Sequence, residues 1–470
     1  MKLKAAKVRA KPAMTKIFET DWLASTPVFY NEAKGAASHN INDVIDFDNF
    51  EFHTEGFNNF LDFGYSVFGQ TPLRHIKFLP HSSRLTLDDK GRFEIERLPD
   101  PVDAWLDKIS HEDDAWHLLS TSIGEWENSH TGEIILPTSG GYDSRLLNLL
   151  VKDKARIRSF TYGLSDNQTD SYEVVHARKI SEILGTRWQH IPLGDFHLYF
   201  DEWDKLFGVS THAHGLYHIE FYNKIEPLVD GGNPFLSGII GDAWAGSVKV
   251  PELASPRDTF KLGYTHGLIA DSKMSLLRGG SDMMEEYYAL HKDRLRSPLY
   301  RVVEALRFKL VLLTYLFAVP ASFGFKPWSP FLIPEVALTM LTLPFERREN
   351  RIWQKKFFQK HGLDLESMNL RVNYQNNINY QAMRRVRVAP LDEELLGQVV
   401  KSSYVKWINR YVRQQGKFWE TLWMIPQVPG IRGALYRMNR LQDTRLKAYY
   451  AYLTLKPIES LLKRRAERAT

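Results

Sequence analysis

Cysteine is absent from all 470 residues. Its absence excludes a disulfide scaffold, thiolate-bound zinc and any cysteine nucleophile, and it fits a reducing compartment. Long hydrophobic runs are missing too. The longest uncharged apolar stretch, Leu310 to Phe325, is interrupted by Pro320. It falls short of the roughly 18–20 residues that span a bilayer, so it reads as a buried core helix. The N-terminus, Met1 to Lys16, is basic but has no apolar core and does not read as a secretory signal. A cytoplasmic location is the expectation. No internal repeat or low-complexity tract occurs.

What remains is ordinary in bulk: 43% hydrophobic and 25% charged residues, in a chain long enough for two or three domains. The charge is not evenly spread. Residues 381–470 hold 18 Lys and Arg against 7 Asp and Glu, a balance of +11 in a chain of net charge +5, which leaves −6 elsewhere. That segment reads as a basic helical extension with a solvated surface, capable of peripheral contact with an anionic membrane. No RNA-binding motif accompanies it, and no nucleic-acid partner is expected.

Two glycine turns carry the chemistry. Glu133-Ile-Ile-Leu-Pro-Thr-Ser-Gly-Gly-Tyr-Asp-Ser-Arg145 is a short apolar strand running into a turn and then a helix. Gly140 and Gly141 let backbone approach an anion with no Cβ in the way. Ser139 and Ser144 add hydroxyls, and the helix offers free N–H groups and the positive end of its dipole. Asp143 would repel a bare phosphate, so it points to a bridging Mg²⁺, a hard cation that prefers oxygen ligands. No Lys follows the glycines, which excludes a Walker A loop. The second turn is Leu236-Ser-Gly-Ile-Ile-Gly-Asp-Ala-Trp-Ala-Gly246, with Asp242 as its acidic residue.

Around these turns the pattern alternates. Strands are expected at 133–136, 157–162, 188–192 and 233–236, and helices at 142–151 and 171–184, the second closed by Gly185. Such alternation predicts an α/β fold with a parallel sheet, ligands binding at the carboxyl ends of the strands. Residues 295–470 read as mostly helical. Upstream, strand-like pieces lie at 60–68, 76–78, 83–87 and 93–97, with Asp88-Asp89-Lys90-Gly91 as a hairpin turn. The expected division is 1–125, 126–380 and 381–470.

Ser139-Gly140-Gly141-Tyr142-Asp143-Ser144 resembles the pyrophosphate loop of the asparagine synthetase family. The resemblance implies a PP-loop (adenine nucleotide alpha hydrolase-like) domain that binds ATP and Mg²⁺. Thr138, Ser139, Gly140, Gly141, Asp143, Ser144, Tyr162, Ser237 and Gly238 then fall at the nucleotide. Asp143 and Asp242 fall at the metal. The implied reaction is adenylation of a carboxylate by ATP, followed by displacement of AMP by an amine.

The stretch from Gly69 to Leu85, including Leu79-Pro80-His81, is similar to the end of that family's glutaminase domain. The family nucleophile is a cysteine after the initiator methionine; Lys2 stands here. The implied N-terminal domain is a smaller, degenerate β-rich (Ntn-like) remnant, and glutamine hydrolysis by that route is impossible. Two further positions depart from the family. Ile239 replaces a glutamate that helps deprotonate the amine, and Asn373 stands in a lysine position. Candidate substitutes are the cations Arg347, Arg348, Arg351, Lys355 and Lys356 near the pyrophosphate, and His214, among His212 and His218, as general base.

The implied substrates are a small-molecule or sugar carboxylate and an amine. The Ser-Gly-Gly-Tyr-Asp-Ser-Arg variant resembles members tied to bacterial surface-polysaccharide synthesis, which suggests a uronic acid. An intramolecular cyclase of the lasso-peptide or β-lactam synthetase type, a non-catalytic nucleotide scaffold and a tRNA-modifying enzyme are the alternatives.

Overall fold

The computed structural model describes residues 15–263, 269–280, 282–413 and 444–469. Residues 1–14 of the basic N-terminus and 414–443 of the basic C-terminal segment lie outside them.

Six short strands come first. β1 (Lys16–Thr20), β5 (Ser83–Leu87) and β6 (Phe93–Arg97) make one antiparallel sheet in the order β1-β5-β6. β2 (Phe29–Asn31), β3 (Ala36–Ser38) and β4 (Ile76–Phe78) make another in the order β3-β2-β4. The hairpin between β5 and β6 turns at Asp88–Gly91 as expected. Gly91 takes φ +74°, and the Asp88 carboxylate accepts the Lys90 and Arg92 amides at 2.9 Å.

One expectation fails in this region. Most of the stretch 60–68, read as a strand, lies in or just beyond the helix Thr54–Phe63. Its aromatic residues suggested β structure, but Phe57, Phe60 and Leu61 sit three and four apart and all point into the core. The His53 ring accepts the Gly56 amide at 2.9 Å to start the helix, and Gly64 ends it at φ +80°.

The central sheet is parallel and five-stranded: β7 (Ile134–Pro137), β8 (Ile157–Thr161), β9 (Arg187–His190), β10 (Pro234–Leu236) and β11 (Lys326–Trp328), in the order β11-β10-β7-β8-β9. With the largely helical C-terminal part, the chain is an α/β protein. Its residues suit such a sheet. Ile134, Ile135, Leu136, Phe235 and Leu236 are all buried, as both-face covering by helices requires. β11 carries Pro327, which fits its place at the sheet edge. The chain runs β7 to β8 to β9 in one direction, then crosses back to lay β10 on the other side of β7. The switch point therefore falls between β7 and β10, and the two glycine turns emerge there side by side.

Core clusters run across the chain. Trp22, Leu23, Phe63 and Tyr65 share one with Leu136, Trp244 and Tyr300. The Trp22 ring stacks on Trp244 at 5.6 Å, and its indole donates to the Leu332 carbonyl at 2.8 Å. At the other end, the helices Ser402–Arg413 and Thr444–Ala469 pack against each other through Val405, Ile408 and Tyr449. Two basic residues of the last helix pair with earlier segments: Arg464, half-buried, with Asp204, and Arg468, on the exposed surface, with Asp48 at 3.4 Å. Among the described residues no helix is long and apolar enough to cross a membrane.

Candidate active site

The first turn is held by its own atoms. The Ser139 amide donates to Ser144 Oγ at 3.2 Å, the Gly141 amide to Ser139 Oγ at 3.3 Å, and Ser144 Oγ to the Gly141 carbonyl at 3.2 Å. Gly140 sits at φ +72°, where a Cβ would overlap the Cβ of His176 from the helix Tyr172–Leu184. Behind the turn lies Arg145, fully buried. It forks onto Glu366 with two bonds of 2.9 Å and donates to the Gly140 and Leu363 carbonyls at 3.0 Å. The loop is thus fixed before any ligand arrives. The helix Tyr142–Leu150 that follows presents its N-terminus at the turn and buries Leu146 and Leu147 beneath it.

The second turn closes on the first. The Asp242 amide donates to Asp143 Oδ2 at 2.7 Å. A Cβ on Gly238 would lie 3.1 Å from the Asp143 Cβ, and one on Gly241 would lie 2.9 Å from its Cγ. A side chain at Gly241 would force the neighbouring atoms to shift, and one at Gly238 would be tight. Asp143 Oδ1 is enclosed and has no hydrogen-bond partner. The Asp242 carboxylate accepts from Ser247 Oγ at 2.7 Å. Burial pushes the Asp143 carboxyl well above the usual carboxylate range, and the Asp242 charge pushes it the same way. The Arg351 guanidinium and the Asp242 amide pull it back.

A divalent cation fits this arrangement. An orphaned carboxylate oxygen, a second carboxylate beside it and mutual repulsion between the two are what a bound hard cation would resolve. No cluster of three or more His, Cys, Asp or Glu suited to a metal occurs among the described residues. Two carboxylates match Mg²⁺ held jointly by protein and substrate phosphates, rather than a complete protein cage.

The other expected nucleotide residues line the same strand ends. Thr138 is buried one residue past β7, its hydroxyl engaged with Leu136 O, Ser159 Oγ and Asn148 Nδ2. Ser237, one residue past β10, accepts the Ile239 amide at 3.2 Å. Tyr162, one residue past β8, packs edge-on against Tyr217, His218 and Phe221.

The cations divide. Arg351 lies over the Tyr142 ring at 4.3 Å and acts on Asp143. Arg347 instead pairs with Glu112. Arg348 donates to the Leu341 carbonyl at 2.6 Å. Lys355 and Lys356 are exposed on the helix Ile352–Lys360, whose inner face is Trp353, Gln354 and Phe358. Three non-glycine residues beside the site take left-handed backbone: Ile240 at φ 55°, Asn350 at 51° and Arg351 at 58°. Such strain in a β-branched residue and two consecutive side-chain-bearing ones persists only where the surroundings enforce it.

Next to Asp242 opens a cavity of about 630 Å³. His212, His214, Ile239, Lys309 and Tyr315 are on its wall. His214 therefore shares a cavity with Asp242, as its candidacy requires. Its ring stacks on His212 at 5.4 Å. His218 is core: burial pulls its imidazole down to about 3, and His214 adds to the effect. Lys309 is the residue that sequence reasoning missed. It is on the helix Pro298–Leu313, immediately before the longest apolar run, and a lone lysine in such a setting was the available signal. Burial pulls its ammonium down while Asp242 pulls it up. Asn373 lies outside the sheet, bridging to Ser171 at the start of the Tyr172–Leu184 helix. Compared with known proteins, the chain matches no family model and no curated protein.

Proposed function

We propose that the chain is an ATP-dependent, AMP-forming carbon–nitrogen ligase of the asparagine synthetase type that takes its amine directly rather than from glutamine. The observation that carries this reading is the meeting of Asp143 and Asp242 at adjacent strand ends, beside a glycine turn built for phosphate. In the same reading the parallel sheet is a PP-loop domain, and the two small antiparallel sheets before it are a degenerate Ntn-like remnant.

The proposed reaction has two steps. The 139–144 turn and the helix behind it bind the triphosphate through backbone N–H groups and hydroxyls. Asp143 and Asp242 would hold Mg²⁺, which when bound neutralises charge on the phosphates. Arg351, held over the Tyr142 ring, adds a positive charge near Asp143. A carboxylate oxygen then bonds to the α-phosphorus while the α–β bridging oxygen leaves with the electron pair, as pyrophosphate. An amine next bonds to the acyl carbon, AMP leaves with the electrons of the acyl–oxygen bond, and the surplus amine proton passes to a base. His214, which lines the same cavity as Asp242, is assigned that role in this reading; Ile239, at the wall, cannot accept a proton. Positioning and charge stabilisation supply most of the acceleration in such phosphoryl chemistry.

The test is carboxylate-dependent ATP–pyrophosphate exchange across a panel of acids. Exchange is expected with at least one acid and lost in Asp143→Ala, with the fold retained by circular dichroism. A fold that never exchanges with any acid would be a nucleotide-binding scaffold, and exchange that survives Asp143→Ala would remove the site assignment.

A further inference from the structure

The cavity beside Asp242 is unlike a sugar site. Its floor is aliphatic, formed by Ile239, Val248, Leu306, Leu312, Leu313 and Leu316. No asparagine or glutamine is found among the described residues lining it. Its two hydroxyls are Ser247, already bonded to the Asp242 carboxylate, and Tyr315, packed edge-on against His218. Three lysines line the cavity as well, Lys249 and Lys261 exposed and Lys309 largely buried. Lys249 pairs with Glu349 at 3.0 Å, Lys261 with Asp258 at 2.5 Å, and Lys309 faces Asp242. Lysines set into an otherwise largely aliphatic wall are the profile of a site for an amphiphilic acid. A uronic acid would bring several hydroxyls against this largely aliphatic wall, and those that meet hydrocarbon would lose their water without gaining a partner.

We infer that this cavity holds the acyl substrate, and that the substrate is a carboxylate with an apolar body, an aliphatic or aryl acid, whose carboxylate lies at the Lys309 end. This rests on the adenylation reading for its catalytic meaning but not for its binding test. Ile239 then has a positive role, as wall for the hydrocarbon, in place of the proton acceptor it cannot be.

Octanoate, 4-phenylbutyrate and glucuronate serve as probes, titrated calorimetrically into the full chain with Mg²⁺ and a non-hydrolysable ATP analogue. At least one of the two apolar acids is expected to bind at least tenfold more tightly than glucuronate. Val248→Trp, which fills the cavity from a partly exposed loop, and Lys309→Met are each expected to weaken that binding at least tenfold. Binding of the ATP analogue should be retained in Val248→Trp, which shows that it is folded. Glucuronate binding as tight as the apolar acids, no binding by either apolar acid, or apolar-acid binding that neither substitution weakens would overturn the inference. Exchange assays separate the two claims. An apolar acid that binds as described but supports no pyrophosphate exchange would leave the cavity assignment standing and sink the ligase reading. Exchange with glucuronate alone would do the reverse.

Discussion

Asp143 stands where its own charge is unwelcome. Burial and the Asp242 carboxylate both raise its pKa, and only Arg351 and one backbone amide oppose them. The sign of the consequence is fixed by linkage. A carboxylate whose folded pKa lies above its unfolded value favours the protonated fold, so keeping it ionised at neutral pH costs stability. Asp143→Asn keeps an oxygen to accept the Asp242 amide and removes the repulsion. Without ligands it is expected to unfold about 1–3 °C higher than the native chain. Mg²⁺ with ATP should raise the melting temperature of the native chain and leave that of the substitution unmoved. Thermal scans with and without Mg²⁺ and ATP check both halves. A lower melting point without ligands would mean that Asp143 is structural rather than held for a cation.

At the level of elements, the 139–144 turn depends on what stands behind it. Arg145 ties the Gly140 carbonyl to Glu366, which belongs to the segment after the Ile352–Lys360 helix. Arg145→Lys keeps the charge but cannot form the planar fork. The expected loss is about 1–2 kcal/mol, tempered because Glu366 is partly exposed and can turn to water. It should appear as a lower urea midpoint together with weaker ATP binding, while carboxylate binding in the neighbouring cavity stays as it was. Equal weakening of both ligands would show that the fork supports the whole site and not the turn.

Elements also explain what could be read in advance. The glycine turn at 139–144, the hairpin at 88–91 and the cap at Gly185 were legible because each is local backbone chemistry. Asp143 and Asp242 were legible as acidic residues after glycines. Their meeting depends on the return of β10 across β7, which no local pattern encodes. Facing direction was equally hidden. Arg351 acts on Asp143 while Lys355 and Lys356, four and five positions on, look outward, because Trp353 and Phe358 set the inner face. The stretch 60–68 misled because aromatic content outweighed the three-and-four spacing that places Phe57, Phe60 and Leu61 inside.

Across the whole molecule, a buried charge cluster fastens the N-terminal region to the helix Pro298–Leu313. Arg307 forks onto Asp100 at 2.8 and 3.0 Å, Arg294 reaches the same carboxylate at 3.0 Å, and Glu304 accepts from Tyr287 at 2.5 Å. His81 and His291 face the cluster. Burial raises the Asp100 and Glu304 carboxyls, but chiefly Arg307 outweighs it, and both are held down at about 2. Burial, with Arg307 adding to it, pulls His81 down to about 3. All three groups act in one direction. A carboxylate with a depressed folded pKa contributes stability above its unfolded value, and that contribution fades as pH falls from about 4 towards 2. A histidine kept neutral in the fold takes up its proton more readily when unfolded, so stability falls once pH drops below about 6.5. Each such histidine contributes a slope of about 1.4 kcal/mol per pH unit. His176, His197 and His218, also pulled down by burial, add to it. The native chain is therefore expected to lose stability steadily from pH 6.5 to 4 and more steeply below. His81→Leu should reduce the first slope by about one proton, whatever it does to stability at pH 7. Urea midpoints at half-unit intervals give the comparison, in which only the slope matters. An unchanged slope would mean that His81 is not held neutral, and that the joint between the N-terminal region and the helix is wetter than its geometry implies.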